Sequence, residues 1–203
     1  MLNNRECCHC QANNKGLLKL FSDNSFNGSK DLEYLKIFNQ ATKKWEAKGL
    51  LWKEQAFDTH DSCRIARYPM KKGHKSTSFD GKPCSARLIG PHKEYEGTLS
   101  FWFNPNGWIH FVSDHIATNW ILPLNEYKCV LYTSWIVHKD AVEGKDFERK
   151  HMTSVWKVTN TEDENLCKSM TQGALSDYYR PGVFSDDERH CKQFCDWYMK
   201  YSN

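Results

Sequence analysis

Thr98-Leu99-Ser100-Phe101-Trp102-Phe103-Asn104-Pro105-Asn106-Gly107-Trp108-Ile109-His110-Phe111-Val112 is the stretch whose reading decides the fold. Two short runs rich in aromatic and β-branched residues flank Asn-Pro-Asn-Gly, a strong turn signal, so the stretch predicts a β-hairpin. Similar punctuation recurs upstream, at Asp80-Gly81 and Gly90-Pro91. Working outward, candidate strands are 63–68, 85–89, 98–103, 108–112, 116–122 and 127–137. Short loops rather than crossover helices join them, which predicts an antiparallel meander.

Helical spacing brackets this β-rich middle. Upstream, Tyr34, Phe38, Ala41 and Trp45 share one face, with Ser29 placed to cap the helix and Gly49 to end it. Downstream, Met152, Val155, Trp156, Thr159, Leu166, Cys167 and Met170 repeat at helical spacing as far as Gly173. Tyr179-Arg180-Pro181-Gly182 reads as a turn. Ser185 with Glu188 then forms a capping box ahead of an amphipathic run through Cys191, Phe194, Cys195 and Tyr198. The expectation is an α+β domain, an antiparallel β-sheet with helices packed on one face.

Composition narrows the class further. At 203 residues the chain fits one ordinary domain with a real core. Its 28 basic and 25 acidic residues, net +3, are spread throughout, leaving no nucleic-acid stripe and no acidic tail. The longest apolar runs, around 120–124 and 130–137, are far too short for a bilayer, and the polar start has no signal-peptide core; a soluble, cytoplasmic protein is expected. Nine cysteines, an odd number with no secretion signal, read as reduced thiols. Aromatic residues make up 14% of the chain. Phe101-Trp102-Phe103, Trp108, Trp120 and Trp135 suit either a sheet core or an aromatic-walled pocket.

Three places carry chemistry. Asn3-Asn4-Arg5-Glu6-Cys7-Cys8-His9-Cys10 crowds a carboxylate, an imidazole and three thiols together. Cys7 and Cys10 make a Cys-x-x-Cys, but the next cysteine is Cys63, so no second pair completes a zinc site. Asp163 falls on the apolar face of the late helix, where a charge must be paired, hydrogen-bonded or metal-bound. The alternative is that Thr159-x-x-Glu162 caps a new helix and Asp163 serves its first turn. Asp114-His115, between two strand candidates, is open to reading as part of a relay or pocket, or as a turn with a satisfied hydrogen bond.

The N-terminal string resembles the segment of Rieske-type, ring-hydroxylating oxygenase alpha subunits in which an acidic residue precedes a histidine by three and a second histidine follows five later. It is most similar to the oxygenases that demethylate glycine betaine and related quaternary ammonium compounds. The likeness continues through Phe79-Asp80-Gly81-Lys82-Pro83, Asn104-Pro105-Asn106 with Asp114-His115, Trp135-Ile136-Val137 and Asp140-Ala141-Val142-Glu143-Gly144. It extends on through Val155-Trp156-Lys157-Val158-Thr159-Asn160, Asp163, Leu166-Cys167, Gln172-Gly173, Ser176, Tyr179-Arg180-Pro181-Gly182, Phe194 and Trp197-Tyr198.

That resemblance implies a helix-grip catalytic domain over residues 1–203 without its Rieske domain. It further implies a mononuclear Fe(II) held by His9 and Asp163, Glu6 as the acidic bridge for an incoming electron, and oxidation of a small quaternary ammonium or aromatic substrate. In the intact family, N-methyl oxidation ends in formaldehyde and the demethylated amine. Asn14 stands where the second histidine ligand belongs, followed by Lys15-Gly16 instead of Pro-Glu, and Cys8 replaces an aromatic residue. An amide oxygen is a poorer ligand for Fe(II) than imidazole, so weakened binding is expected, with Cys7, Cys8 or Cys10 as a less suitable substitute.

A Rieske cluster needs Cys-x-His and Cys-x-x-His, and no cysteine here has histidine three residues on. A [2Fe-2S] centre and a reductase would therefore have to come from another chain. Family members assemble as trimers in which one subunit's cluster serves the next subunit's iron, so a homotrimer is a weaker expectation here. The competing expectation is a non-catalytic ligand-binding module or an inactive remnant of the same fold.

Overall fold

A computed structural model of the chain describes residues 32–56, 63–70, 72–91, 94–184 and 189–201. Helix α1 (Leu32–Ala47) precedes six strands: β1 (Gln55–Ala56), β2 (Cys63–Tyr68), β3 (Thr98–Phe103), β4 (Gly107–Val112), β5 (His115–Asn125) and β6 (Lys128–Ile136). Helices α2 (Arg149–Ala174) and α3 (Arg189–Tyr201) follow. Spatial strand order equals chain order, and every neighbouring pair is antiparallel. The α+β meander expected from the sequence is the architecture found.

The register aligns the side chains into rows. Ala66, Ser100, His110, Ala117 and Trp135 stand opposite one another across β2 to β6, and Arg64, Trp102, Trp108, Asn119 and Thr133 form the next row on the same face. Phe101, Phe103, Ile109 and Trp120 point the other way, as strand alternation requires. There Phe103 stacks on Trp120 with ring centroids 5.1 Å apart. Gly107 makes that stacking possible, since a Cβ at this position would lie 2.6 Å from both Phe103 Cδ2 and Trp120 Cζ3.

Helix α2 covers the first face. Met152, Val155, Trp156 and Thr159, at i, i+3, i+4 and i+7, are buried, and Trp156 stacks on His110 at 4.7 Å. Burying a side chain of that size stabilises the fold by roughly 2–3 kcal/mol. From Glu164 onward the helix is exposed except at Leu166, so only its first half is seated on the sheet. Because α2 runs unbroken to Ala174, Thr159 and Glu162 do not open a new helix.

Helix α1 is held at the opposite end of the sheet. Trp45 is buried and meets Phe38 edge-on at 6.5 Å, while Lys48 bridges Glu94 at 2.6 Å and Glu96 at 2.5 Å. One strand expectation fails: Ser85–Ile89 is not a strand. Ser85 makes an isolated bridge with Phe147, Ala86 N donates to Asp146 O, and Ile89 N donates to Ser113 O. Its backbone partners are thus spread over two loops rather than one ladder. Ser29, Ser185 and Glu188, the expected caps, lie outside the described residues. No helix among the described residues is long and apolar enough to cross a membrane.

Candidate functional site

The seam between α2 and the sheet gathers polar groups that an ordinary core would exclude. His110 faces α2, with Nδ1 2.9 Å from Ser100 Oγ and its ring under Trp156. Burial first, and the nearby His115 in addition, push the His110 imidazole down to about 3. It is therefore neutral at ordinary pH and stacks as a flat, uncharged ring.

One row further along the sheet, a hydrogen-bond chain ties helix to strands. Asn160 Nδ2 donates to Thr133 Oγ1 (3.0 Å), and Thr133 Oγ1 donates to Asn119 Oδ1 (2.9 Å). Asn119 is fully buried. The polarity of the chain fixes its amide orientation and leaves Nδ2 without an acceptor; Trp156 Nε1, Thr159 Oγ1 and Trp135 Nε1 are likewise buried and unpartnered.

Asp163 lies one helical turn past Thr159 and Asn160, half-buried on the edge of this stripe. An unbroken helix rules out a role in capping a second one, so the carboxylate is held on the seam by the helix itself. Glu6, His9 and Asn14, together with Cys7, Cys8 and Cys10, lie outside the described residues. The structure therefore places one of the expected ligand positions and leaves its meeting with the others as an expectation.

Of the tryptophans considered for a pocket, Trp102, Trp108 and Trp135 share the face that α2 covers, while Trp120 stands on the other. The six described cysteines, at 63, 84, 129, 167, 191 and 195, are free thiols.

A second cluster sits under the loop that precedes β3. Asp114 and His115 are fully buried. Asp114 Oδ1 accepts from Ser76 Oγ (2.8 Å) and from His115 Nδ1 (2.9 Å). Its Oδ2 accepts from the backbone amides of Cys84 (2.6 Å) and Ser85 (3.2 Å). The far nitrogen of His115 lies 3.1 Å from Thr77 Oγ1.

Burial opposes ionisation of Asp114, yet the bond and charge of His115, with the Ser76 hydroxyl and Ser85 amide, outweigh it and hold the carboxyl below its ordinary range. Burial foremost pushes the neighbouring Cys84 thiol up to about 12. Cys84, Asp114 and His115 bring ligand atoms within 4.8 Å of one another, the spacing a metal would need. The carboxylate is already engaged: with four donors on it, Asp114 has no lone pair left for a cation. Of the two readings open for Asp114-His115, the satisfied hydrogen bond is the one observed, and the pair pins the 76–85 loop to the β4–β5 turn.

Sequence reasoning did not single out His110, Asn119, Thr133, Ser76, Thr77 or Cys84. A signal existed for two of them. His110 and Asn119 share the inward parity of Trp108, Val112 and Ala117, and polar residues at that parity mark a wet or functional seam.

An α+β domain of this topology is consistent with the catalytic domain of the ring-hydroxylating oxygenases. Residues 3–203 match the family described as ring hydroxylating alpha subunit (catalytic domain), and the chain belongs to it. Among curated proteins it is 33% identical over 204 residues to the glycine betaine monooxygenase oxygenase subunit of Pseudomonas aeruginosa (strain UCBPP-PA14), covering 98% of this chain and 47% of that one. Over 201 residues it is also 33% identical to the subunit of the same name from Chromohalobacter salexigens, covering 97% and 44%. The chain thus spans less than half the length of these relatives.

Proposed function

We propose that this chain is the iron-binding part of a Rieske-type non-haem iron oxygenase that removes an N-methyl group from a small quaternary ammonium compound such as glycine betaine. The observation that carries this reading is the position of Asp163, on the α2 stripe that begins with Met152 and is tied to the sheet one turn earlier through Asn160 and Thr133. His9 and Asp163 would hold Fe(II), with Asn14 at the third position. When bound, that iron supplies the oxidising power for attack on a C–H bond and keeps positions open for dioxygen.

The remaining work belongs to the protein. The α2 stripe excludes bulk water from the seam. Trp102 and Trp108, on the covered face, offer aromatic surfaces suited to a trimethylammonium group. Glu6 accepts the role of electron bridge from a [2Fe-2S] centre on another chain, and one N-methyl group leaves as formaldehyde. In this reading the intact assembly is an oligomer that pairs each iron with a neighbour's cluster, and the chain alone does not turn over.

A non-catalytic ligand-binding domain of the same fold is the second reading, favoured by Asn14 in place of a histidine. Anaerobic titration with Fe(II), read by metal analysis after desalting, separates the two. The first reading expects substoichiometric iron in the native chain, near one per chain in Asn14→His, and none in the double variant Asn14→His, Asp163→Ala. Equal iron with and without Asp163, or none in Asn14→His, would remove the metal centre from consideration.

A further inference from the structure

Among the described residues eight buried side-chain polar atoms have no partner, and four of them, Asn119 Nδ2, Trp135 Nε1, Trp156 Nε1 and Thr159 Oγ1, belong to the seam between α2 and the sheet. Asn119 is fully buried, and the chain running from Asn160 through Thr133 consumes its Oδ1, so Nδ2 has no acceptor among the described residues. On the helix side, Trp156 Nε1 and Thr159 Oγ1 are in the same position, in side chains only 4% and 2% exposed.

The strand register places the sheet-side groups on adjacent rows. Ala117 pairs with His110 on one side and Trp135 on the other; Trp156 stacks on His110, and Asn119 is the next inward residue of β5. Trp135 Nε1 adds a further unpartnered donor. An indole N–H and an amide NH2 can only donate. Each buried polar group left without a partner costs about 1–3 kcal/mol, so a set of this kind calls for an acceptor that the described residues do not supply.

We propose that Asn119, Trp156 and Thr159 form a subsite for the carboxylate of a small zwitterionic ligand, an inference that rests on the substrate class proposed above. A carboxylate brings four lone-pair sites and no proton, which matches a rim made of donors. The spacing is also suitable. Thr159 and Asp163 are separated by about 6 Å of helical rise, close to the span of about 5 Å between the carboxylate oxygen and N-methyl carbon of a two-carbon betaine built from standard bond lengths. Anchored by its carboxylate at Thr159, such a molecule presents its methyl groups near Asp163. A quaternary ammonium alcohol, which has no anionic end, leaves the donors poorly paired and is discriminated against at this point.

Calorimetric titration of the purified full chain with three probes tests this: glycine betaine, its uncharged-head isostere 3,3-dimethylbutanoate, and tetramethylammonium. Trp156→Phe and Thr159→Val keep shape while deleting one donor each, and their melting curves check folding. Each is expected to weaken both carboxylates about tenfold, as befits a lost hydrogen bond to a charged group, and to change tetramethylammonium by less than twofold.

Betaine bound equally well by native chain and both variants overturns the subsite while leaving the substrate class standing. Dimethylbutanoate bound in a variant-sensitive way, with no betaine bound, keeps the subsite and removes the substrate class. Failure of the native chain to bind either carboxylate means the donors are served by water, and the proposal falls.

Discussion

Replacing Asp114 by alanine removes an acceptor that holds four donors in a fully buried place: the Ser76 hydroxyl, the His115 ring and the amides of Cys84 and Ser85. The hydroxyl and the imidazole can turn or change tautomer, but the two amides cannot. At about 1–3 kcal/mol for each stranded donor, with the cavity added, Asp114→Ala should cost about 3–5 kcal/mol, a fall of roughly 10 °C in melting temperature for a domain of this size. Asp114→Asn can keep its oxygen on the two amides and turn its NH2 toward groups able to accept, so about 1–2 kcal/mol is expected.

Urea unfolding at neutral pH measures both. The native chain's advantage over Asp114→Asn carries a further signature. The folded carboxyl titrates below its unfolded value near 3.9, so the advantage is full above that value and is lost as pH falls through the lower folded one. Alanine and asparagine variants of equal stability, or an alanine variant within 1 kcal/mol of native, would refute the account of the cluster as a hydrogen-bonded lock.

Three further outcomes are expected. Gly107→Ala drives a methyl into Phe103 and Trp120, and thermal melting should show a loss of about 1–3 kcal/mol from overpacking. His110 is neutral when folded, with its pKa near 3, and ordinary when unfolded, near 6.5; the unfolded chain binds the extra proton between those values, so stability should fall as pH drops through that window. A His110→Gln variant should show a flatter dependence in the same urea series. Thr133→Val breaks the link between Asn160 and Asn119 and should cost about 1–2 kcal/mol, with faster hydrogen exchange in the first half of α2 than in the native chain.

The hairpin of β3 and β4 was legible because its signal is local: two aromatic runs around Asn-Pro-Asn-Gly need no distant partner to be read. Ser85–Ile89 misled because its composition suits a strand while its backbone bonds go to Asp146 and Ser113, and no local pattern reveals such partners. Continuity of α2 through Thr159 and Glu162 is likewise a tertiary outcome, in which Met152, Val155, Trp156 and Thr159 all find the sheet and override a cap pattern of modest value.

Asp163 was legible as a carboxylate on an apolar stripe. The chain of bonds that ties α2 to the sheet at Asn160, just before it, was not, because Asn119 and Thr133 become neighbours only once β5 and β6 adopt their register. Asp114 and His115 were visible as a pair, but their donors come from a loop some thirty residues upstream.

At about 1.5 Å per residue, the 26 residues of α2 make a rod of roughly 39 Å, and among the described residues only its first half is seated on the sheet. Mechanically it is a cantilever off the sheet, with the Asn160 bond to Thr133 near its root and Asp163 just beyond that bond. Any sway of the overhanging half is felt first at that carboxylate. Whatever grips the overhang will therefore steady a ligand of the proposed centre.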